Sequence, residues 1–225
     1  MELVINFSGG KDSCAMLHYL CTRYPNHKKH VVFADTGWEH KGTEQWCRDI
    51  VSRYGLELHV VRSSTKDFFS MVRHRRMFPG MQTRQCTSDL KRGPIAKWIR
   101  NNVRSKVIIN CLGIRADEST SRAKQKRLVR NKTETNGKRT VWNWLPIHDW
   151  PEQTVYEYLE SNGIPLHPVY SFLRRFSCRV CIYMTIQDLK QVKANDPEAI
   201  RIIAETEKEI GFTMFQSGNI ETIIT

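Results

Sequence analysis

The chain has 225 residues, seven cysteines and a formal net charge of +12. Its hydrophobic content of 40% is enough for one large domain with a proper core. Apolar runs all fall short of the roughly 18 residues that a membrane span needs. The first residues already resemble a strand, so we expect neither a membrane segment nor a leader peptide. An odd number of cysteines argues against a disulfide framework and predicts a cytoplasmic location.

The positive charge favours a polyanionic partner or a very anionic substrate. A simple solubility feature is the alternative explanation.

A glycine loop follows the first predicted strand. The apolar residues from Val4 to Phe7 run into Ser8, Gly9, Gly10, Lys11, Asp12 and Ser13, and a helical pattern begins near Ser13. Adjacent glycines let the backbone approach a ligand, and a helix N-terminus attracts phosphate. Lys11 adds a mobile positive charge, and Asp12 would hold a metal ion or cap the helix. The Walker spacing is missing, and an ordinary strand-to-helix turn is the alternative.

The next elements predict an α/β fold. Residues 31–34 form a buried strand, 43–54 a helix and 56–61 a third strand, which gives a β-α-β-α-β order. This order predicts a doubly wound, mostly parallel sheet with helices on both faces. Asp35 and Thr36 follow the second strand, where such sheets bind ligands. Simple turn residues are the alternative for this pair.

Three cysteines lie in polar segments. Cys86 precedes a predicted helix over residues 94–102, and its position near that N-terminus, beside Lys91 and Arg92, would stabilise its thiolate. Cys178 and Cys181 form a Cys-x-x-Cys, which alone permits zinc, redox or iron–sulfur roles.

A fourth predicted strand, residues 106–111, leads into a second candidate anion site. Gly113 permits a tight exit from the strand, and Arg115 can fork onto a phosphate. Glu118 would orient Arg115 or bind a metal, and Arg122 follows shortly after.

A strongly basic stretch begins at Arg122. Residues 122–139 hold eight basic residues, one acidic residue and an Asn-Gly turn signal. Such a stretch can clamp a nucleic-acid backbone through its phosphates. A solvated flexible loop is the alternative.

Two further helices, over residues 185–193 and from Asp196 to Gly211, form a C-terminal extension. We therefore expect a nucleotide-binding domain over residues 1–183 and a helical extension over 184–225 that packs on the same domain.

Several of these motifs resemble a known family. The loop from Ser8 to Ser13 is similar to the pyrophosphate loop of the adenine-nucleotide alpha-hydrolase superfamily, the PP-loop ATP pyrophosphatases. The run from Gly113 to Ser119, with Arg122 after it, resembles the second anion-binding motif of the phosphoadenosine phosphosulfate (PAPS) reductase family. The resemblance covers approximately residues 1–185.

The resemblance implies an adenine nucleotide, ATP or PAPS, bound with Mg²⁺. The implied catalytic residues are Lys11, Asp12, Cys86 and Arg115. The implied nucleotide-binding residues are Ser8, Gly9, Gly10, Lys11, Asp12, Ser13, Asp35, Thr36, Gly113, Arg115, Glu118 and Arg122.

The resemblance also implies a shared role for the three cysteines. In iron–sulfur members of the family the segments of Cys86, Cys178 and Cys181 bind a [4Fe–4S] cluster. Three thiolates suit a cluster with one labile iron, whereas three thiolates and a histidine suit structural zinc. A pair of cysteines without a metal is a third reading of the Cys-x-x-Cys.

Three hypotheses for the function follow. The leading one is an ATP-dependent sulfur transferase that forms AMP and pyrophosphate and acts on a nucleic acid, tRNA or DNA, through residues 122–139. The second is a PAPS or adenylyl sulfate reductase. Such reductases carry a C-terminal catalytic cysteine, and residues 182–225 contain none. The third is a non-enzymatic nucleotide- or nucleic-acid-binding module. The sequence leaves open a sulfur-donor protein and a homodimer.

Overall fold

The computed structural model describes all residues from 1 to 225. Its six strands are β1 (Glu2–Asn6), β2 (Lys29–Ala34), β3 (Leu58–Val61), β4 (Val107–Leu112), β5 (Leu128–Arg130) and β6 (Thr140–Trp144). Its α-helices are α1 (Lys11–Arg23), α2 (Thr43–Ser52), α3 (Phe68–Arg75), α4 (Gln85–Thr87), α5 (Gly93–Asn102), α6 (Thr120–Ala123), α7 (Glu152–Ser161), α8 (Ile186–Asn195), α9 (Pro197–Ile210) and α10 (Ile220–Ile223). A π-helical stretch, Ser88–Arg92, joins α4 to α5. None of the helices is long and apolar enough to cross a membrane.

The strands form one sheet in the order β3-β2-β1-β4-β6-β5. Strands β3, β2, β1, β4 and β6 are parallel to one another, and the edge strand β5 pairs antiparallel with β6. Ile5 of the central β1 lies opposite Val31 on one side and Cys111 on the other. The predicted α/β fold with a mostly parallel sheet is confirmed.

Alternate residues of the strands pack on opposite faces of the sheet. Ile5 belongs to a core with Leu17 of α1, Ile50 of α2 and Leu159 of α7. Its neighbour Val4 belongs to a separate core that includes Ile99 of α5. Both faces are therefore covered by helices, as a buried parallel sheet requires.

The chain divides into two compact units. The first contains residues 1–34, 42–61 and 95–167, and thus the whole sheet. The second contains residues 35–41, 62–94 and 168–225. Its own core includes Trp38, Phe68, Leu90, Val180 and Ile203. The structure thus groups 184–225 with earlier segments, and the boundary at residue 183 stays a prediction.

Two local features differ from the sequence-based expectation. Helix α1 begins at Lys11 rather than near Ser13, and its N-cap is Gly10, so Asp12 does not cap it. Residues 122–139 are more than a loop, because they contain the end of α6 and the whole of β5. The expected Asn136-Gly137 turn is present, since Asn136 and Arg139 bridge each other through their backbones.

Candidate nucleotide site and cysteine cluster

The glycine loop joins β1 to α1 in the first unit. Gly9 has φ of 89°, a conformation that favours glycine. Gly10 is the N-cap of α1 and provides no side-chain cap. The Ser13 hydroxyl donates to the Gly10 carbonyl at 2.8 Å and closes the loop on itself. This geometry presents a helix N-terminus suited to an anion.

Lys11 is held in place by Glu152 of α7, a residue that the sequence analysis does not single out. Its side chain is 5% exposed, and its Nζ lies 2.9 Å from Oε1 of Glu152 and 3.7 Å from Oδ2 of Asp12. The Tyr156 ring lies 5.4 Å from the same Nζ. Glu152 and Tyr156 are one turn apart on α7, so both reach Lys11 from the same helix face.

Arg115 is buried and bound by carboxylates. Its Nε lies 2.5 Å from Oδ1 of Asp12, and its Nη1 donates to Asp117. Burial disfavours the charged form, but Asp12 and Asp117 outweigh this cost and raise the pKa of Arg115. Arg115 therefore stays charged and fixes Asp12 at the first turn of α1. Its predicted contact with phosphate stays a prediction.

Gly113 allows the chain leaving β4 to pass close to the loop. A Cβ at this position would lie 3.3 Å from the carbonyl carbon and oxygen of Asp12 and from the amide of Ser13. A side chain there would push against backbone, which cannot give way as a flexible side chain does. The predicted tight exit is thus a close approach of two segments of the site.

Glu118 organises the segment after Gly113. Its Oε2 accepts a hydrogen bond from the Arg115 amide at 2.9 Å, and its Oε1 pairs with Arg122. His148 binds the Arg122 carbonyl at 3.0 Å through Nε2. Glu118 therefore orients Arg115 through the backbone.

Asp35 and Thr36 belong to the second unit, directly after β2. Asp35 lies 2.5 Å from Nε of Arg62 and accepts a bond from the Gly37 amide. Burial opposes ionisation of Asp35, yet these two contacts lower its pKa. Thr36 donates to Glu39 at 2.8 Å from its hydroxyl and at 2.9 Å from its amide. Burial raises the pKa of Glu39, a residue that the sequence did not single out.

Cys86, Cys178 and Cys181 also lie in the second unit, and all three are free thiols. Lys91 Nζ lies 3.9 Å from Sγ of Cys178 and 4.0 Å from Oε1 of Glu39. Burial raises the pKa of Cys178 to about 12, against the opposing effect of Lys91. Burial likewise raises the pKa of Cys86. The expectation of a stabilised Cys86 thiolate is wrong, because Cys86 lies inside the α4 turn and is partly buried.

The three cysteines are candidate ligands of a metal centre by donor type. No group of three or more His, Cys, Asp or Glu side chains stands in metal-binding geometry. Lys91 supplies a positive charge beside Cys178 that offsets the cost of its ionisation. Three sulfur donors suit a soft metal or an iron–sulfur cluster. The three cysteines therefore fit a soft metal or an iron–sulfur cluster by the chemistry of their sulfur atoms. Their side chains do not stand in the geometry of a metal site.

The basic stretch is exposed and largely without acidic partners. Arg127 pairs with Asp149, and Arg122 pairs with Glu118. Five exposed cations form no salt bridge: Lys124, Lys126, Arg130, Lys132 and Lys138. These charges remain available for an anionic partner.

Comparisons with known proteins agree with this arrangement. An uncharacterized protein of Methanocaldococcus jannaschii is 31% identical over 197 residues, which are 87% of this chain and 39% of that protein. The PAPS reductase of Pectobacterium atrosepticum is 25% identical over 75% of this chain and 65% of its own length. The chain thus spans less than two thirds of either relative.

A solved structure shares the fold. The U34-tRNA thiolase NcsA of Methanococcus maripaludis, determined with its [4Fe–4S] cluster, superposes with a TM-score of 0.54 at 14% identity. The match covers 94% of this chain and 73% of that one. Residues 2–182 match the phosphoadenosine phosphosulfate reductase domain, and the chain therefore belongs to the PAPS reductase family within the PP-loop fold.

Proposed function

We propose that this protein cleaves ATP to AMP and pyrophosphate and uses the activation to place sulfur on a nucleic acid. The observation that carries the proposal is the uncapped first turn of α1, with Lys11 and Arg115 buried beside it. This arrangement places a helix N-terminus and two cationic side chains at a loop that suits a pyrophosphate, with Lys11 exchanging Glu152 for a phosphate oxygen on binding. The same fold is found in a tRNA thiolase, which agrees with the proposal.

The reaction has two steps. An oxygen of the nucleic-acid substrate attacks the α-phosphorus, the bond between the α-phosphorus and its bridging oxygen breaks, and pyrophosphate leaves with the electron pair. Hydrosulfide then displaces AMP from the adenylated carbon, so a C–S bond replaces a C–O bond and one proton is released. No oxidant or reductant is needed.

The residues of the loop act on the leaving group. Backbone amides at Gly9 and Gly10 and the ammonium of Lys11 would stabilise the charge that develops on pyrophosphate. Asp12, the carboxylate of the loop, would hold Mg²⁺, which would supply positive charge to stabilise the phosphates. Arg115 would keep Asp12 in position through its 2.5 Å contact.

The three thiols would handle sulfur. Cys86, Cys178 and Cys181 would hold a [4Fe–4S] cluster, which supplies an iron with an open position for sulfide. Lys91, 3.9 Å from Sγ of Cys178, would offset the negative charge of the thiolates. Zinc is the alternative occupant. The unpaired cations of residues 122–139 would bind the phosphates of the nucleic acid.

The test uses protein purified without oxygen. Mg²⁺-ATP with inorganic sulfide, or PAPS, is supplied with and without tRNA or DNA, and the nucleotide products are identified. AMP and pyrophosphate, formed faster with nucleic acid, are the expected result. Sulfite and adenosine 3′,5′-bisphosphate from PAPS would instead establish a sulfonucleotide reductase. Binding without any product would favour a non-enzymatic module.

Metal content tests the cysteine site separately. Iron and acid-labile sulfide should be present in the purified protein and fall in Cys86→Ser, Cys178→Ser and Cys181→Ser. Cys21→Ser is the matched control, because Cys21 is also partly buried but lies in the first unit. Zinc in place of iron would overturn the cluster, and equal iron in all four variants would overturn the site.

A further inference from the structure

An exposed tyrosine of the second unit lies against two arginines. The guanidinium carbons of Arg84 and Arg175 are 5.3 Å and 5.7 Å from the centre of the Tyr183 ring. The Tyr183 hydroxyl donates to the Met81 carbonyl at 3.3 Å, and the side chain remains 37% exposed. We name Arg84, Tyr183 and Arg175 the Arg–Tyr–Arg patch.

The two cations of the patch have no acidic partner. Neither arginine forms a salt bridge, whereas Arg179 of the same unit is bound by Asp196 at 2.8 Å and by Glu198 at 3.0 Å. Two like charges gathered on one ring repel each other, so an anion between them is stabilised. Guanidinium groups bind phosphate through paired hydrogen bonds.

A shallow depression of the surface lies beside the Tyr183 ring. Arg175, Ser177, Cys181 and Tyr183 are among the residues that line it. Its one carboxylate, Asp188, is engaged in capping α8 through Thr185. Tyr183 and Cys181 therefore line the same depression.

The chain couples the patch to the thiols by sequence position. Arg84 is two residues before Cys86, and Tyr183 is two residues after Cys181. The segments that carry the thiols therefore also carry the aromatic ring and one of its cations.

We propose that the Arg–Tyr–Arg patch binds an unpaired nucleotide of a single-stranded nucleic acid, with the base on Tyr183 and the flanking phosphates on Arg84 and Arg175. A base that displaces one guanidinium from the ring leaves that arginine free to bind the adjacent phosphate. A duplex keeps its base faces stacked on one another and offers mainly phosphates, so the aromatic ring selects a single strand. This inference rests on the proposed function and adds a substrate subsite to it.

Binding is measured by the fluorescence anisotropy of a short labelled single-stranded RNA of mixed sequence, without ATP. Tyr183→Ala should weaken binding about tenfold, since stacking on an aromatic ring contributes at this level. Tyr183→Phe keeps the ring and should bind within about twofold of the unchanged protein. The double variant Arg84→Ala/Arg175→Ala should reduce the slope of log K against log salt by about 1.4.

Arg201→Ala is the matched control, because Arg201 is an exposed arginine of the same unit that pairs with Glu205. It should bind RNA as the unchanged protein does, and thermal unfolding of every variant checks the fold. Unchanged affinity in Tyr183→Ala, or an equal loss in Tyr183→Phe, would overturn the subsite. Duplex RNA that competes as well as the single strand would do so too.

The same variants separate this inference from the proposed function. If RNA stimulates AMP formation but Tyr183→Ala binds RNA with unchanged affinity, the proposed subsite is wrong and the proposed function stands. If RNA binding depends on Tyr183 but no AMP forms from ATP, the adenylating function is wrong and the subsite stands.

Discussion

Two sets of buried titratable groups, one in each unit, are held in opposite ways. In the first unit Lys11 and Arg115 are 5% and 3% exposed, and both are paired with carboxylates. In the second unit burial raises the pKa of Cys178 to about 12 and lowers that of His40 to about 4. Lys11 and Arg115 thus stay charged beside the glycine loop, whereas burial favours the neutral forms of Cys178 and His40.

The largest effect is expected when the buried ammonium of Lys11 is removed from the first unit. Lys11→Met should reduce AMP formation by about 10²–10³-fold, which is typical for the loss of one electrostatic donor at a reacting centre. The products are quantified by chromatography, and thermal unfolding is recorded alongside. Lys28→Met, an exposed lysine of the same unit, is the control. Retained activity in Lys11→Met would show that the loop is not where ATP is cleaved.

A second test removes the close approach that shapes the charged loop. Gly113→Ala should lower the free energy of unfolding by about 1–3 kcal/mol, since overpacking against fixed backbone costs this much. Its Cβ would meet the backbone of Asp12 and Ser13 at 3.3 Å. Gly137→Ala is the control, because a Cβ there meets nothing within 4 Å. Equal urea midpoints for the two variants would contradict the packing argument.

The sheet could be predicted because its strands are continuous apolar runs. Each of the runs that predicted β1 to β4 lies within two residues of the observed strand, since burial on both faces leaves little alternative. Strand β5 was missed because Leu128 and Val129 are exposed and lie between basic residues. Only its pairing with β6 makes it a strand.

The glycine loop of the candidate site could be predicted from the sequence, whereas the side chains that contact the site residues could not. Adjacent glycines before a helix are a local signal, so Ser8 to Ser13 could be identified directly. Glu152 and Glu39 act through contacts with residues distant in sequence or through burial, which a single sequence does not reveal. The Cys86 thiol was misjudged for the same reason, because nearby cations were visible and its burial was not.

A third test addresses the neutral groups of the second unit. His40 is buried, its Nε2 has no hydrogen-bond partner, and its charged form is disfavoured by burial and by Arg179 and favoured by Asp196. The folded pKa is depressed from 6.5 to about 4, so the unfolded chain binds the proton first. Stability is therefore complete above pH 6.5 and falls as pH drops towards 4.

His40→Leu should remove this part of the acid sensitivity, by up to about 2 kcal/mol between those limits. Urea unfolding at a series of pH values measures it. His74→Leu is the control, since His74 is exposed. A variant His40→Leu that loses stability with acid as steeply as the unchanged protein would show that this histidine is not held neutral by burial.

The smallest expected effect concerns Glu152, whose ion pair with Lys11 has to break before Lys11 can bind a phosphate. Glu152 is 55% exposed and lies 2.9 Å from Nζ of Lys11. A phosphate that binds Lys11 competes with this ion pair, so Glu152→Gln should tighten binding of a non-hydrolysable ATP analogue. The gain should be about two- to fivefold, because a half-exposed ion pair contributes about 1 kcal/mol or less. Titration calorimetry measures the dissociation constant.

Glu160→Gln lies on the same helix, is exposed and serves as the control for the change of net charge. If both variants tighten binding equally, the gain comes from overall charge, and the ion pair with Lys11 does not restrain the site. If Glu152→Gln weakens binding, Glu152 positions Lys11 for the phosphate instead of competing with it. The ion pair between Glu152 and Lys11 would then stabilise the nucleotide-bound form of the site. Paired charges would in that case assist ligand binding in the first unit, in contrast to the neutral Cys178 and His40 of the second unit.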